Sequence, residues 1–253
     1  MSIFTIADVA KLKQDRLLRV ANSLFPDVMP SDEYLFEKLQ AEEVSLEQRF
    51  RTNFSVREVL PTGADPAEQA AFPEGTLFLE EPGYDYEPRL FEGESWGLIV
   101  LRNRPIVAIH SIRFAYPSIT SSLYEVPKAW IRFERKLGRV NLVPATDSVV
   151  TFPANAFIMS ALSGGRTIPL MMQVRYSTGF VDIRKERPDI VDALLRATVL
   201  SVLDDQFLPT SGSDSIDGLS QSLSFDAGKH RELLDARLDR IASSLQGIQV
   251  AFL

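Results

Sequence analysis

The sequence predicts an α+β chain, in which a helical core made from both ends of the polypeptide carries an inserted β-rich segment. Three observations predict it. Apolar side chains recur at helical spacing up to about residue 54. Short β-branched runs separated by turns fill the next stretch, and helical spacing returns from 181 onwards. The expected division is 1–54 with 181–253 as the helical core and its tail, and 55–180 as the insertion.

The first helix rests on Val9, Leu12, Leu17, Val20 and Leu24, which fall near one face, with Asp8 as N-cap. Pro26 and Pro30 interrupt the pattern, since proline lacks an N–H and clashes with the preceding turn. Ser31 or Asp32 then caps a second helix with Leu35, Leu39, Leu46 and Phe50 on its apolar face. Glu37, Glu42, Glu43 and Glu47 form its solvated side. The two helices make an N-terminal hairpin.

In the insertion, Leu77–Leu79, Leu98–Leu101, Ile106–Ile109, Trp130–Glu134, Val140–Val143, Phe157–Met159 and Leu170–Val174 read as strands. Arg102–Pro105 and Lys136–Arg139 read as turns. Pro61, Pro66, Pro73, Pro82 and Pro88 make the stretch around Gly63–Arg89 loop-rich. No fixed-period repeat occurs, which disfavours a solenoid or propeller.

Val174–Phe180 is an extended segment expected to stop at Gly179. A helix opens at Arg187-Pro188-Asp189-Ile190 and ends near Phe207-Leu208-Pro209. Its stripe is Ile190, Val191, Leu194, Leu195, Val202 and Leu203, and Asp192 can pair with Arg196 four residues on. The serine-rich loop Ser211–Phe225 follows, then a helix from about Ala227 to Leu245 with Leu234, Leu238, Ile241 and Leu245 in line. The last five residues form the apolar tail.

Composition bounds the function. The 253 residues are 45% hydrophobic and 24% charged, as in ordinary globular chains. No apolar run approaches the ~20 residues that span a bilayer. The start, Met1-Ser2-Ile3-Phe4-Thr5, lacks the basic and apolar regions of a secretory signal. Without cysteine there is no disulfide framework and no thiolate metal site. A net charge of −7 argues against tight non-specific binding to nucleic acid, which needs cations to replace the counterions of phosphate.

The chemistry-bearing motifs are sparse. His110 sits in the strand Ile109-His110-Ser111-Ile112, where an outward polar position is expected, and His230 reads as a surface residue. Ser163-Gly164-Gly165 lacks the flanking pattern of a nucleophile elbow and reads as a turn. Neither phosphate-binding glycine motif occurs. The sequence therefore predicts no catalytic, cofactor or metal residues. The candidate functional residues are instead apolar side chains suited to a subunit interface: Ile216, Leu219, Leu223 and Phe225 within the serine loop, and Val250, Phe252 and Leu253 in the tail. A purely solvated linker has little use for them.

Four passages carry a family likeness: Leu101–Ile109, Val174–Phe180, Pro188–Leu195 and Gly218–Phe225. In content and order they resemble the head-to-tail connector, or neck adaptor, proteins of tailed bacteriophages. The length of the β-rich insertion departs from the small helical members of that group. The resemblance implies a structural virion protein, assembled in the bacterial host cytoplasm. It would form a dodecameric ring under the portal protein, meet a tail-side neck or tail terminator protein, and pass genomic DNA through a channel without specific binding. It implies neither cofactor nor membrane. A tail-completion or baseplate subunit, and a hydrolase without a recognised motif, are the alternatives.

Overall fold

The computed structural model describes residues 2–24, 30–91, 96–115, 124–143, 167–206 and 227–246. The chain is an α+β mixture and divides into two compact units. One joins Met1–Arg51 to Asp182–Leu253, and the other is Thr52–Val181.

The first unit is helical: α1 (Ile6–Lys13), α2 (Arg16–Leu24), α3 (Asp32–Phe50), α5 (Ile183–Glu186), α6 (Pro188–Gln206) and α7 (Ala227–Gln246). α3 and α6 pack together, and α7 lies against both. Leu35, Leu39, Leu46 and Phe50 of α3 are buried, as are Ile190, Leu194, Val202 and Leu203 of α6 and Leu238 and Ile241 of α7. Ser31 caps α3 by accepting the Tyr34 N–H at 3.2 Å. Surface ion pairs bind the helices laterally, with the Arg49 guanidinium reaching Asp235 at 2.8 Å and Asp239 at 2.9 Å. Among the described residues no helix is long and apolar enough to cross a membrane.

The first expected helix is in fact two. The Asp15 carboxylate accepts the Leu17 N–H at 2.8 Å, so it starts a new helix instead of continuing the old one. The break rotates the buried face: Leu18 is buried while Val20 is exposed. Thr5, and not Asp8, occupies the cap position of α1, and the Asp8 carboxylate reaches back to the Thr5 N–H at 3.0 Å. Glu43 is buried where a solvated glutamate was expected. Asp192 pairs with Arg237 of α7, across helices and not with Arg196 along its own.

Asp8 is also the centre of a clamp. The Arg184 guanidinium of α5 donates to both its oxygens at 3.0 and 2.7 Å, and to the Ile3 carbonyl at 3.0 Å. This hydrogen bonding holds the Asp8 carboxyl well below the usual carboxylate range. A depressed folded-state value stabilises the fold above the unfolded value of about 4 and is lost as pH falls through the folded one. Arg184→Ala should therefore cost about 2 kcal/mol at pH 7, a figure discounted for the partial exposure of Arg184. The deficit should shrink as the pH drops from 4 towards 2. Urea unfolding followed by helical circular dichroism at several pH values measures it; a deficit that grows in acid would contradict the clamp.

The second unit holds two sheets. In the larger, the order is β2 (Phe78–Glu81), β1 (Arg57–Pro61), β9 (Ile168–Thr178), β5 (Ile106–Phe114) and β6 (Tyr124–Glu125), with β3 (Tyr84–Tyr86) pairing the first half of β9. β1 and β2 run parallel, and the other pairs are antiparallel. The smaller sheet orders β4 (Ile99–Val100), β8 (Arg139–Leu142) and β7 (Ile131–Glu134). Apolar residues of both sheets form one core that includes Val59, Ile112, Val174 and Tyr176 with Ile99, Trp130, Val140 and Leu142.

Several strand expectations need adjusting. Leu170–Val174 and Val174–Thr178 are one eleven-residue strand, β9, the hub of the larger sheet. The strand expected at Leu77–Leu79 is β2, shifted to Phe78–Glu81, and the otherwise loop-rich stretch around Gly63–Arg89 also contains the short helix α4 (Pro66–Ala70) and β3. Phe133 is exposed, so β7 lacks the clean alternation of a half-buried strand. Phe157–Met159 and Ser163–Gly165 lie outside the described residues.

Candidate functional site

Direct neighbours across a ladder share a face, which separates the larger sheet into two chemistries. Val59 opposite Tyr176, Ile112 opposite Val174, and Phe114 opposite Met172 line the core face. Glu58 opposite Ser177, Ser111 opposite Arg175, and Arg113 opposite Gln173 line the other. That polar face is crossed by α4 and the residues after it. Glu68 meets Arg113 at 2.9 Å and Arg175 at 3.4 Å, and the Phe72 ring stands edge-on to His110 with centroids 6.0 Å apart.

His110 reaches this face because β5 carries an extra residue. Ile109 pairs with Tyr176 and Ser111 with Arg175, which leaves His110 as a bulge. Its Nε2 lies 2.9 Å from Glu58 Oε2 and 2.7 Å from Ser177 Oγ. The Ser177 hydroxyl also donates to Glu58 Oε1 at 2.8 Å. Three strands thus contribute one residue each to a closed triangle of hydrogen bonds. His110 thus takes the polar, outward side expected of it, and there serves as a half-buried cross-strand link.

The constituents match those of a serine hydrolase, but the arrangement does not. A relay needs the carboxylate on one ring nitrogen and the serine on the other. Here both partners share Nε2, and Ser177 is only 3% exposed, so a substrate carbonyl has no approach to its oxygen. The triangle acts as a clamp that locks β1 to β5 across β9.

A second polar cluster lies on the other side of β1 and β9. The buried Glu81 carboxylate accepts from Tyr84 Oη, from Tyr176 Oη at 2.8 Å and from Asn103 Nδ2 at 2.8 Å. Burial pushes both phenols well above their ordinary range, so each remains a hydrogen-bond donor. Their oxygens in turn accept the backbone N–H groups of Arg102 and Asn103 at 3.0 and 3.2 Å. The Arg102 guanidinium lies 4.3 Å from the centre of the Tyr84 ring. Every polar atom named is partnered, which is what allows the cluster to be buried. It pins the Arg102–Pro105 turn to the sheet.

Among the described residues, no group of three or more metal-ligating side chains comes together. The apolar candidates Ile216, Leu219, Leu223, Phe225, Val250, Phe252 and Leu253 lie outside the described residues. His230 stands on α7, half-buried. Sequence reasoning missed the Glu58–His110–Ser177 triangle because its members are 52 to 119 residues apart in the chain. The only local signal was a polar pair, His110-Ser111, inside an apolar strand. No protein-family model matches the chain, and no curated protein matches it in sequence.

Proposed function

We propose that this chain is a structural subunit of a tailed-phage neck, a head-to-tail connector that assembles as a ring beneath the portal. The ring would have about twelve copies, bound by a heterologous contact that closes on itself. Its partners would be further copies of itself, the portal protein and a tail-side neck or terminator protein, and genomic DNA would pass through its channel. It would act through interfaces and not through catalysis.

The observation that carries this reading is the order of elements from β9 onward. A strand ends at Thr178, just before Gly179, a 19-residue helix opens at Pro188, and a second long helix, Ala227–Gln246, follows the serine-rich segment. This is the order of the passages that resemble the connectors. The clamp geometry of Glu58, His110 and Ser177 supports it further, since this grouping of hydrolase-type residues among the described residues is built as a structural link.

Native mass spectrometry of the chain mixed with a portal ring, or electron microscopy of virions, tests it. The expected result is a ring of about twelve copies at the neck. Three or six copies at another station of the tail would favour a tail-completion or baseplate subunit and overturn the connector reading.

A further inference from the structure

Glu43 of α3 is only 5% exposed, yet among the described residues no lysine or arginine pairs with it. Its two hydrogen-bond partners belong to one segment, the extended residues before α1. Ser2 Oγ donates to Oε2, and the Ile3 N–H donates to Oε1 at 3.1 Å. The Phe4 N–H donates to Ser2 Oγ at 3.1 Å, and the Phe4 side chain is 3% exposed. On its other side the segment is held by Arg184, which binds the Ile3 carbonyl at 3.0 Å and lies 5.3 Å from the centre of the Phe4 ring.

We propose that residues 2–5 are a strap whose docking onto the helical unit is tightened by protonation of Glu43. A buried carboxylate without a cation is costly to keep ionised, so the docked state favours the proton. When the strap lifts, Glu43 returns to water and that preference is lost. Of the other charges around the strap, only the N-terminal ammonium favours the ionised form, and its influence is the smallest, well below that of burial. Glu47, one turn along α3, adds like charge. Arg184 is committed to Asp8 and the Ile3 carbonyl, and Lys11 to Asp8. Burial accordingly raises the Glu43 carboxyl above its ordinary range, with the Ser2 and Ile3 hydrogen bonds opposing in part.

The sign follows from linkage. A raised value in the docked state means docking is strongest below the undocked value and weakens as pH rises through the docked one. The Asp8–Arg184 contact has the opposite dependence and is lost only in stronger acid. Between these limits, in mild acid, the strap is held most tightly. It acts within one subunit and does not depend on ring formation.

Amide exchange in the full chain tests the strap, read as protection of the Ile3 and Phe4 N–H groups after correction for intrinsic rates. From pH 7.5 to 5, wild-type protection should rise several-fold, the limit for one linked proton being about tenfold per pH unit. Glu43→Gln, which mimics the neutral acid, should abolish the slope and leave protection high throughout. Flat or falling protection in the wild type, or an unchanged slope in Glu43→Gln, overturns the proposal. Should that variant fail to fold, carboxyl-carbon NMR of the wild type decides the matter: Glu43 must titrate above the ordinary glutamate value of about 4.3. Titration at or below that value refutes it.

Discussion

Gly179→Ala should destabilise the Thr52–Val181 unit by about 3 kcal/mol or more, lowering its melting temperature by roughly 6–12 °C. Two independent effects combine. Gly179 has φ +107°, a conformation that side chains with a Cβ rarely adopt, and a Cβ there would lie 2.2 Å from the Ser55 carbonyl oxygen. That oxygen is backbone and cannot rotate away, so strand β9 or the residues before β1 must shift. The Gly179 N–H also donates to the Pro105 carbonyl at 2.9 Å, so a shift disturbs the start of β5 as well. Gly63→Ala is the control: φ is +78° and nothing lies within 4 Å, so only backbone strain of about 1 kcal/mol is expected. Both tryptophans, Trp96 and Trp130, belong to this unit, so their fluorescence reports its unfolding separately from the helices. Equal losses in the two variants would show that the approach to Ser55 is not tight.

Glu81→Ala should cost more, about 3–5 kcal/mol, because it removes the shared acceptor of Tyr84, Tyr176 and Asn103 and leaves donors buried without partners. The two phenols cannot compensate by ionising, since burial holds them neutral. Glu81→Gln keeps the shape and one acceptor oxygen, and the phenol oxygens can accept from its amide, so less than half the loss is expected. Guanidinium unfolding followed by tryptophan fluorescence measures both. The order is the test. A glutamine variant as unstable as the alanine variant would mean that the carboxylate charge, balanced by Arg102 at 3.6 Å, matters more than the hydrogen bonds.

The two predictions concern residues that differ in how legible they are from sequence. Gly179, at the end of an extended run before a helix, can be read as a stop because a local rule, the need for φ > 0, is written in one residue. Glu81 cannot. It follows Glu80 in a proline-flanked stretch that reads as loop, and nothing nearby indicates that Tyr176, 95 residues on, will bury it.

The same contrast runs through the fold. By itself, the sequence determined the α+β class, the helices Asp32–Phe50, Pro188–Gln206 and Ala227–Gln246 with the apolar faces they bury in whole or part, and a cap at Ser31 or Asp32. Helix periodicity and capping are properties of residues within four positions of one another, so they survive in the order of the chain. Tertiary structure alone decided the bulge at His110, its link to Glu58 and Ser177, the burial of Glu43 and Glu81, and the Asp192–Arg237 pair. Each depends on which segments meet across long separations, and a one-residue bulge redirects a side chain from one sheet face to the other. Whether a charged residue is solvated or buried is therefore settled by its neighbours in space, which local periodicity does not encode.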